Sequence, residues 1–285
     1  MNNPLFFDST DLFSHMFSPR ERVYVVSDSQ YKAAQKAQAE RQIQTLEARA
    51  ADYQRNLDVV QATITELKTE HGLLPATNDE APNWLYLMTH TIAIGDVHGC
   101  YNLLLNTVEK HIGSGNELVL LGDLFDRSPE PDGDLNVLEF VRDMNEHPDA
   151  YGLSAVECLM GNHESLLLDA LEGDVNCWLA NGGNVEFAIH LIENPSHVEW
   201  IKQRPSYLIR NKHLLVHAGV KPNVPLDAQD PFDLCWIRPD PHVPHNLPYT
   251  IIHGHTIHDQ VTHYPDRIAI DTGAFHTGVL STYSV

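Results

Sequence analysis

The chain has 285 residues, 42% of them hydrophobic. That is length enough for one large domain or two small ones, with enough apolar residues to bury a core, so general disorder is excluded. Its 39 Asp+Glu against 18 Lys+Arg give a net charge of −21, which argues against a nucleic acid or an acidic membrane as partner. The 18 histidines equal the fixed cations in number, and acids together with histidines suit oxygen/nitrogen metal coordination. Cys100, Cys158, Cys177 and Cys235 are scattered without a CxxC, so neither a disulfide framework nor a thiolate zinc site is expected. The N-terminus lacks the pattern of a secretory signal, and no apolar run approaches the roughly 20 residues of a membrane span; the cytoplasm is the expected location.

In chain order, residues 1–28 suggest only a short strand at Val23-Tyr24-Val25-Val26. Residues 29–71 predict one long helix. The stretch is rich in Ala, Gln, Glu, Arg and Leu, contains no Pro, and stops at Gly72 with Pro75 beyond it. Ile43, Leu46, Ala50, Tyr53, Leu57, Val60, Ile64 and Leu67 follow at alternating steps of three and four, an a/d seam. At 1.5 Å per residue such a helix reaches roughly 60 Å. It suits a coiled coil that makes a homodimer or docks a partner, and equally a helix folded back on its own domain. Residues 72–89, with two prolines among polar residues, read as a linker.

From residue 90 the pattern changes. Short apolar runs recur, each ending in a polar cluster: HTIAIGDVHG, ELVLLGDLFDR, AVECLMGNHE, HLLVHAG, YTIIHGHT and RIAIDTGA. Helical stretches at 101–111, 135–146 and 164–172 lie between them. This is an α/β pattern with buried strands, and in such folds ligands bind beyond the carboxyl ends of the strands. Residues 91–285 hold 27 of the acids and 15 of the histidines. Taken singly, each cluster is weak: Asp96 and His98 as a loop, Asp126 and Arg127 as a solvated turn pair, Asn162 as a helix cap, and His217 or His255 as a packed strand-end histidine. Jointly, five consecutive strand-to-loop junctions offer two Asp, one Asn and three His. With one carboxylate bridging, these six residues supply seven contacts to two ions. Mn, Fe or Zn suit such donors.

GDVHG (95–99), GDLFDR (122–127), GNHE (161–164), the histidine of VHAG (216–219) and GHT (254–256) resemble, in order, the motifs of the phosphoprotein phosphatase family of metallophosphoesterases, in particular its bacterial and phage-lambda-type serine/threonine phosphatases. VPLDAQDPFDLCWIR (224–238) and IAIDTGAFHTGVLSTYSV (268–285) reinforce the resemblance, which covers about 90–285 and not residues 1–89. It implies a β-sandwich of two mixed sheets flanked by helices. It also implies two divalent metal ions, manganese first, with iron or zinc as alternatives. Asp96, His98 and Asp123 would hold one ion. Asp123 would bridge to the second, completed by Asn162, His217 and His255. A water held between the ions would attack phosphorus in line, His163 would protonate the leaving oxygen, and Asp126 would orient His163. Arg127 and Arg238 would bind phosphate oxygens, a task suited to their planar forks.

Two departures stand out. The family's DRG is here Asp126-Arg127-Ser128, with Ser128-Pro129 expected to hold the bend. The segment between the second and third motifs is long, and surface decoration is favoured slightly over a border to the substrate groove. His253, His258, His263 and His276 receive no role; His253 is read as a hydrogen-bonded loop histidine rather than a support to the metal ligands. The expected function is a metal-dependent phosphomonoesterase acting on phosphoserine or phosphothreonine of proteins, with phosphotyrosine or a small phosphomonoester also open. The alternative is a dinucleoside polyphosphate hydrolase, a type that tends to lack the acid equivalent to Asp126. A non-enzymatic scaffold working through residues 29–71 is disfavoured, because all six expected ligands are intact.

Overall fold

In the computed structural model of the chain, residues 90–285 and Lys36 are described. The strand expected near Val23, the helix over 29–71 and the linker over 72–89 lie outside the described residues, Lys36 excepted, which is helical. Among the described residues no helix is long and apolar enough to cross a membrane.

Two sheets build the domain. The first contains β1 (Thr91–Ile94), β2 (Glu117–Leu120) and β3 (Ala155–Cys158), all parallel, with β9 (Thr282–Ser284) antiparallel beside β1. The second runs β4 (Tyr207–Arg210), β5 (His213–Val216), β6 (Thr250–His253), β8 (Arg267–Ala269) and β7 (Thr262–His263), with β5, β6 and β8 parallel. Alternation sorts the side chains. Ala93, Val119, Leu121 and Leu159 face Leu215, Ile252, Ile268 and Ile270 in one cluster between the sheets. Ile92, Ile94, Leu118 and Leu120 point the other way, under the helices. Strands β1, β2, β5 and β6 are therefore buried on both faces, so their sequences are continuous apolar runs rather than alternating ones. Every such Leu or Ile contributes roughly 1.5–3 kcal/mol by leaving water.

The helices over the first sheet are α1 (Tyr101–Val108), α2 (Gly133–Glu146), α3 (Asn162–Leu171), α4 (Val175–Ala180), α5 (Val185–Glu193) and α6 (Pro195–Lys202). Leu104, Val137, Leu138, Val141, Leu167 and Ile201 enter its core. The long segment between the second and third motifs is thus not decoration. Its helix α2 buries Val137, Leu138, Val141 and Met144 completely, and a surface appendage would bury none of them. Short helices α7 (Pro231–Trp236) and α8 (Ala274–Thr277) belong to the loops at the second sheet's end. The register aligns the strand ends: Ile94 pairs with Leu120, Leu120 with Cys158, and His253 with Ala269. Two sets of loops therefore leave the sandwich at one rim.

Candidate active site

The loops at that rim are bonded to each other. The Asp123 carbonyl accepts the N–H groups of Val97 and His98, and Leu124 O accepts that of Gly99, all within 3.0 Å. In the other sheet His217 O accepts Gly254 N–H at 2.8 Å. These bonds hold an unusual backbone. His98, Asp123, Asp126, Arg127 and His255 all have positive φ, between 47° and 66°. Non-glycine residues in this region cost roughly 1–3 kcal/mol each and persist where surrounding structure over-determines them. Close approach demands glycine at two points: a Cβ on Gly254 would collide with Asp96 Oδ1, and one on Gly161 with Asp123 Oδ1.

One cleft is lined by Asp96, His98, Asp123, Arg127, Asn162, His163, Arg238 and His255. His217 lies at its wall, with Nε2 2.9 Å from Asn162 Oδ1 and 3.4 Å from Asp123 Oδ1. Asp126 lies behind the wall, its Oδ2 2.7 Å from His163 Nδ1. The ten residues expected from the sequence are therefore brought to one place.

The tautomers follow from the carbonyls. His98 Nδ1–H donates to Phe125 O and His217 Nδ1–H to Leu121 O, both at 2.9 Å. Each neutral ring then turns its Nε2 lone pair inward, the arrangement a metal ligand needs. Two buried sets come within ligating reach, His98 with Asp123 and His163, and Asp123 with His217 and His255. Asp96 Oδ1, His163 Nε2 and His255 Nε2 are buried without a hydrogen-bond partner. In that tautomer His217 Nε2 is an acceptor facing another acceptor, Asn162 Oδ1, at 2.9 Å, with no hydrogen between them. Burial first, then the charges of Asp271 and Asp123, push the Asp96 carboxyl well above its usual range. Burial lowers His98 to about 4 and, with His217, lowers His255 to about 3. A set of neutral imidazoles and crowded carboxylates with inward lone pairs fits hard or borderline cations.

His163 is different. Burial lowers its pKa, but the Asp123 charge and the Asp126 hydrogen bond outweigh it, and the net shift is upward. Its Nδ1–H is taken by Asp126, so Nε2 is the atom facing the cleft. Arg127 donates from Nε to Asn181 O at 3.1 Å and from Nη1 to His98 Nε2 at 3.2 Å, with its guanidinium 5.4 Å over the Phe275 ring. Arg238 is exposed at the cleft mouth. Ser128 holds the bend as expected, its hydroxyl 3.0 Å from Gly99 O and 2.9 Å from Glu130 O. His253 ends strand β6 rather than standing in a loop, and its ring meets Gly254 O at 3.0 Å, so the plainer reading keeps its local hydrogen bond but not its loop.

Sequence reasoning left several groups without a role. Glu164 accepts the N–H groups of Asp123 (2.8 Å), Leu124 (2.8 Å) and Gly161 (2.9 Å), so it fastens the second and third loops together. Asp271 lines the cleft just beyond β8. The strand-end rule applies to it as much as to Asp96 and would have found it. Trp178, on α4, and Asn181, at its C-terminal cap, carried no signal, because neither belongs to a strand-end motif.

Comparison with known proteins agrees with this geometry. The family profile described as calcineurin-like phosphoesterase matches residues 89–276. Serine/threonine-protein phosphatase 2 of Salmonella typhimurium is 31% identical over 220 residues, 70% of this chain and 94% of that protein. The symmetrical bis(5'-nucleosyl)-tetraphosphatase of Buchnera aphidicola is 29% identical over 136 residues, 46% of this chain and 44% of that protein. Among solved structures, a cold-active protein-tyrosine phosphatase of a Shewanella species matches with a TM-score of 0.50 and 20% identity, over 66% of this chain and 72% of that one. At that identity the likeness concerns the fold.

Proposed function

The chain belongs to the calcineurin-like phosphoesterase family of hydrolases, which use a dinuclear metal site, and from that premise we propose that it removes phosphate from phosphoserine and phosphothreonine of proteins. The observation that carries this reading is the 2.7 Å contact between His163 Nδ1 and Asp126 Oδ2, which leaves His163 Nε2 buried and unpartnered at the cleft. A serine alkoxide is a poor leaving group and needs a proton as it departs; a phosphoanhydride needs one far less.

Asp96, His98 and Asp123 would hold one cation, and Asp123, Asn162, His217 and His255 the other, with manganese the expected metal. When bound, the ions supply positive charge to the phosphoryl oxygens and lower the pKa of an attacking water. Arg127 and Arg238 bind the phosphate oxygens and set the phosphorus in line. As the new P–O bond forms, the bond to the serine or threonine oxygen breaks, and His163 Nε2 passes its proton to that oxygen. Asp126 keeps the imidazole oriented and stabilises its charged form. The molecule's net charge of −21 repels phosphate, so attraction is local to these groups.

The second reading, hydrolysis of dinucleoside polyphosphates, is favoured by the 29% identity to the tetraphosphatase over 46% of this chain. A panel with manganese present separates them: p-nitrophenyl phosphate, a phosphoserine peptide, a phosphotyrosine peptide and diadenosine tetraphosphate. The expected result is turnover of p-nitrophenyl phosphate and the phosphoserine peptide. A protein inert on every phosphomonoester that cuts the dinucleotide would establish the second reading instead.

A further inference from the structure

Behind the His163–Asp126 pair stands an indole. Trp178, on α4, is 2% exposed, and its Nε1 lies 3.0 Å from both Asp126 carboxylate oxygens. Asp126 is itself fully buried. Among the described residues its carboxylate takes two side-chain donors, His163 and Trp178. The three groups form one line: indole N–H, carboxylate, imidazole, with His163 Nε2 facing the cleft. An indole donates and cannot accept a proton or titrate near neutral pH, so it can fix the carboxylate but cannot share its proton.

The chain around Trp178 is built for this contact. A Cβ on Gly183 would strike the Trp178 ring, so the turn after α4 closes over the indole only with glycine there. The same turn holds the neighbour of Asp126: Asn181 O accepts Arg127 Nε–H at 3.1 Å, and Gly182 O accepts Arg127 N–H at 3.2 Å. Residues 178–183 thus seat both the carboxylate behind His163 and the arginine beside it. Without the indole N–H, the buried carboxylate loses one of its two side-chain donors and is free to rotate, and the imidazole turns with it. A small misorientation of a proton donor costs rate steeply.

We propose that Trp178 is a positioning residue, holding Asp126 so that His163 Nε2 points at the leaving oxygen. This rests on the reading of His163 as the acid, and the test separates the two. The manganese-loaded full chain is assayed on a phosphoserine peptide and on p-nitrophenyl phosphate, whose leaving group departs without a proton. Trp178→Phe keeps an aromatic ring and removes the donor. It is expected to lower kcat on the peptide roughly tenfold to a hundredfold and on p-nitrophenyl phosphate less than about threefold, with KM unchanged. His163→Asn should show the same imbalance, more strongly. If His163→Asn shows it while Trp178→Phe slows both substrates equally, or neither, the positioning role is overturned and the acid stands. If His163→Asn shows no imbalance, the acid reading fails and the positioning role falls with it. Should the phenylalanine variant not fold, Trp178→Met, which has no N–H or O–H to donate, is read in the same way.

Discussion

Asp123 stands where both halves of the cleft meet. Its Oδ2 lies 3.7 Å from His98 Nε2, its Oδ1 3.4 Å from His217 Nε2, and Oδ1 also accepts His163 N–H at 2.9 Å. Burial alone would raise its pKa, but His217, His163 and His98 hold the carboxyl well below the usual carboxylate range. On the proposed assignment of Asp123 to both cation sites, Asp123→Asn is expected to abolish phosphatase activity and to lower the bound metal measured by elemental analysis, because the amide removes the carboxylate charge that both cations would share. Glu164 illustrates a different role at the same scale. Burial and the Asp123 charge push it up to about 7, against three backbone N–H groups that favour the carboxylate. Glu164→Gln sets an amide N–H₂ among those donors. The expected loss is about 1–3 kcal/mol of unfolding free energy, read from urea denaturation. The GNHE motif made His163 legible, but Glu164 only as a neighbour. Its partners Asp123 and Leu124 are 40 residues or more away in sequence, and no local pattern announces them.

At the scale of elements, six strands were legible because a strand buried on both faces must be apolar throughout, and the helices at 101, 135 and 164 because each follows a turn cluster. The strand β9 was not, since its Thr-Tyr-Ser lacks that run and its place is fixed by pairing with β1. Helices α4 and α5 were missed for a related reason: Val175, Leu179, Val185, Ile189 and Ile192 are at least 40% exposed, which blurs the amphipathic signal. Their attachment can be tested through Asp134, in the first turn of α2, whose Oδ2 accepts Asn184 Nδ2–H at 3.0 Å at the cap of α5. Burial raises Asp134 to about 6. Its folded pKa thus exceeds the unfolded value, and the folded state binds more protons between pH 4 and 6. The stability it contributes is present below about pH 4 and is lost as pH rises through about 6. Asp134→Asn keeps the oxygen and removes the charge. Relative to wild type, the variant is expected to gain up to about 3 kcal/mol between pH 4 and pH 7, measured by denaturation at both values.

At the scale of the molecule, the heptad seam over 29–71 gives an expected outcome of its own. Light scattering of the full chain should return about twice the monomer mass, and a chain beginning near residue 85 about the monomer mass; equal monomeric masses would overturn the dimer. The sequence by itself determined which chemistry the protein carries. Strand ends present acids and histidines in a fixed order, and that order survives in the linear chain because each expected ligand stands one to four residues past a strand whose apolar run marks it. Tertiary structure alone decided what supports those ligands. The tie of Glu164 to Asp123, the approach of Asp271 to Asp96, and the indole of Trp178 against Asp126 join residues from different strands and helices. The reason is physical: a ligand's place follows from local strand geometry, whereas a hydrogen bond across the rim exists only once the two sheets have packed and their loops share one space.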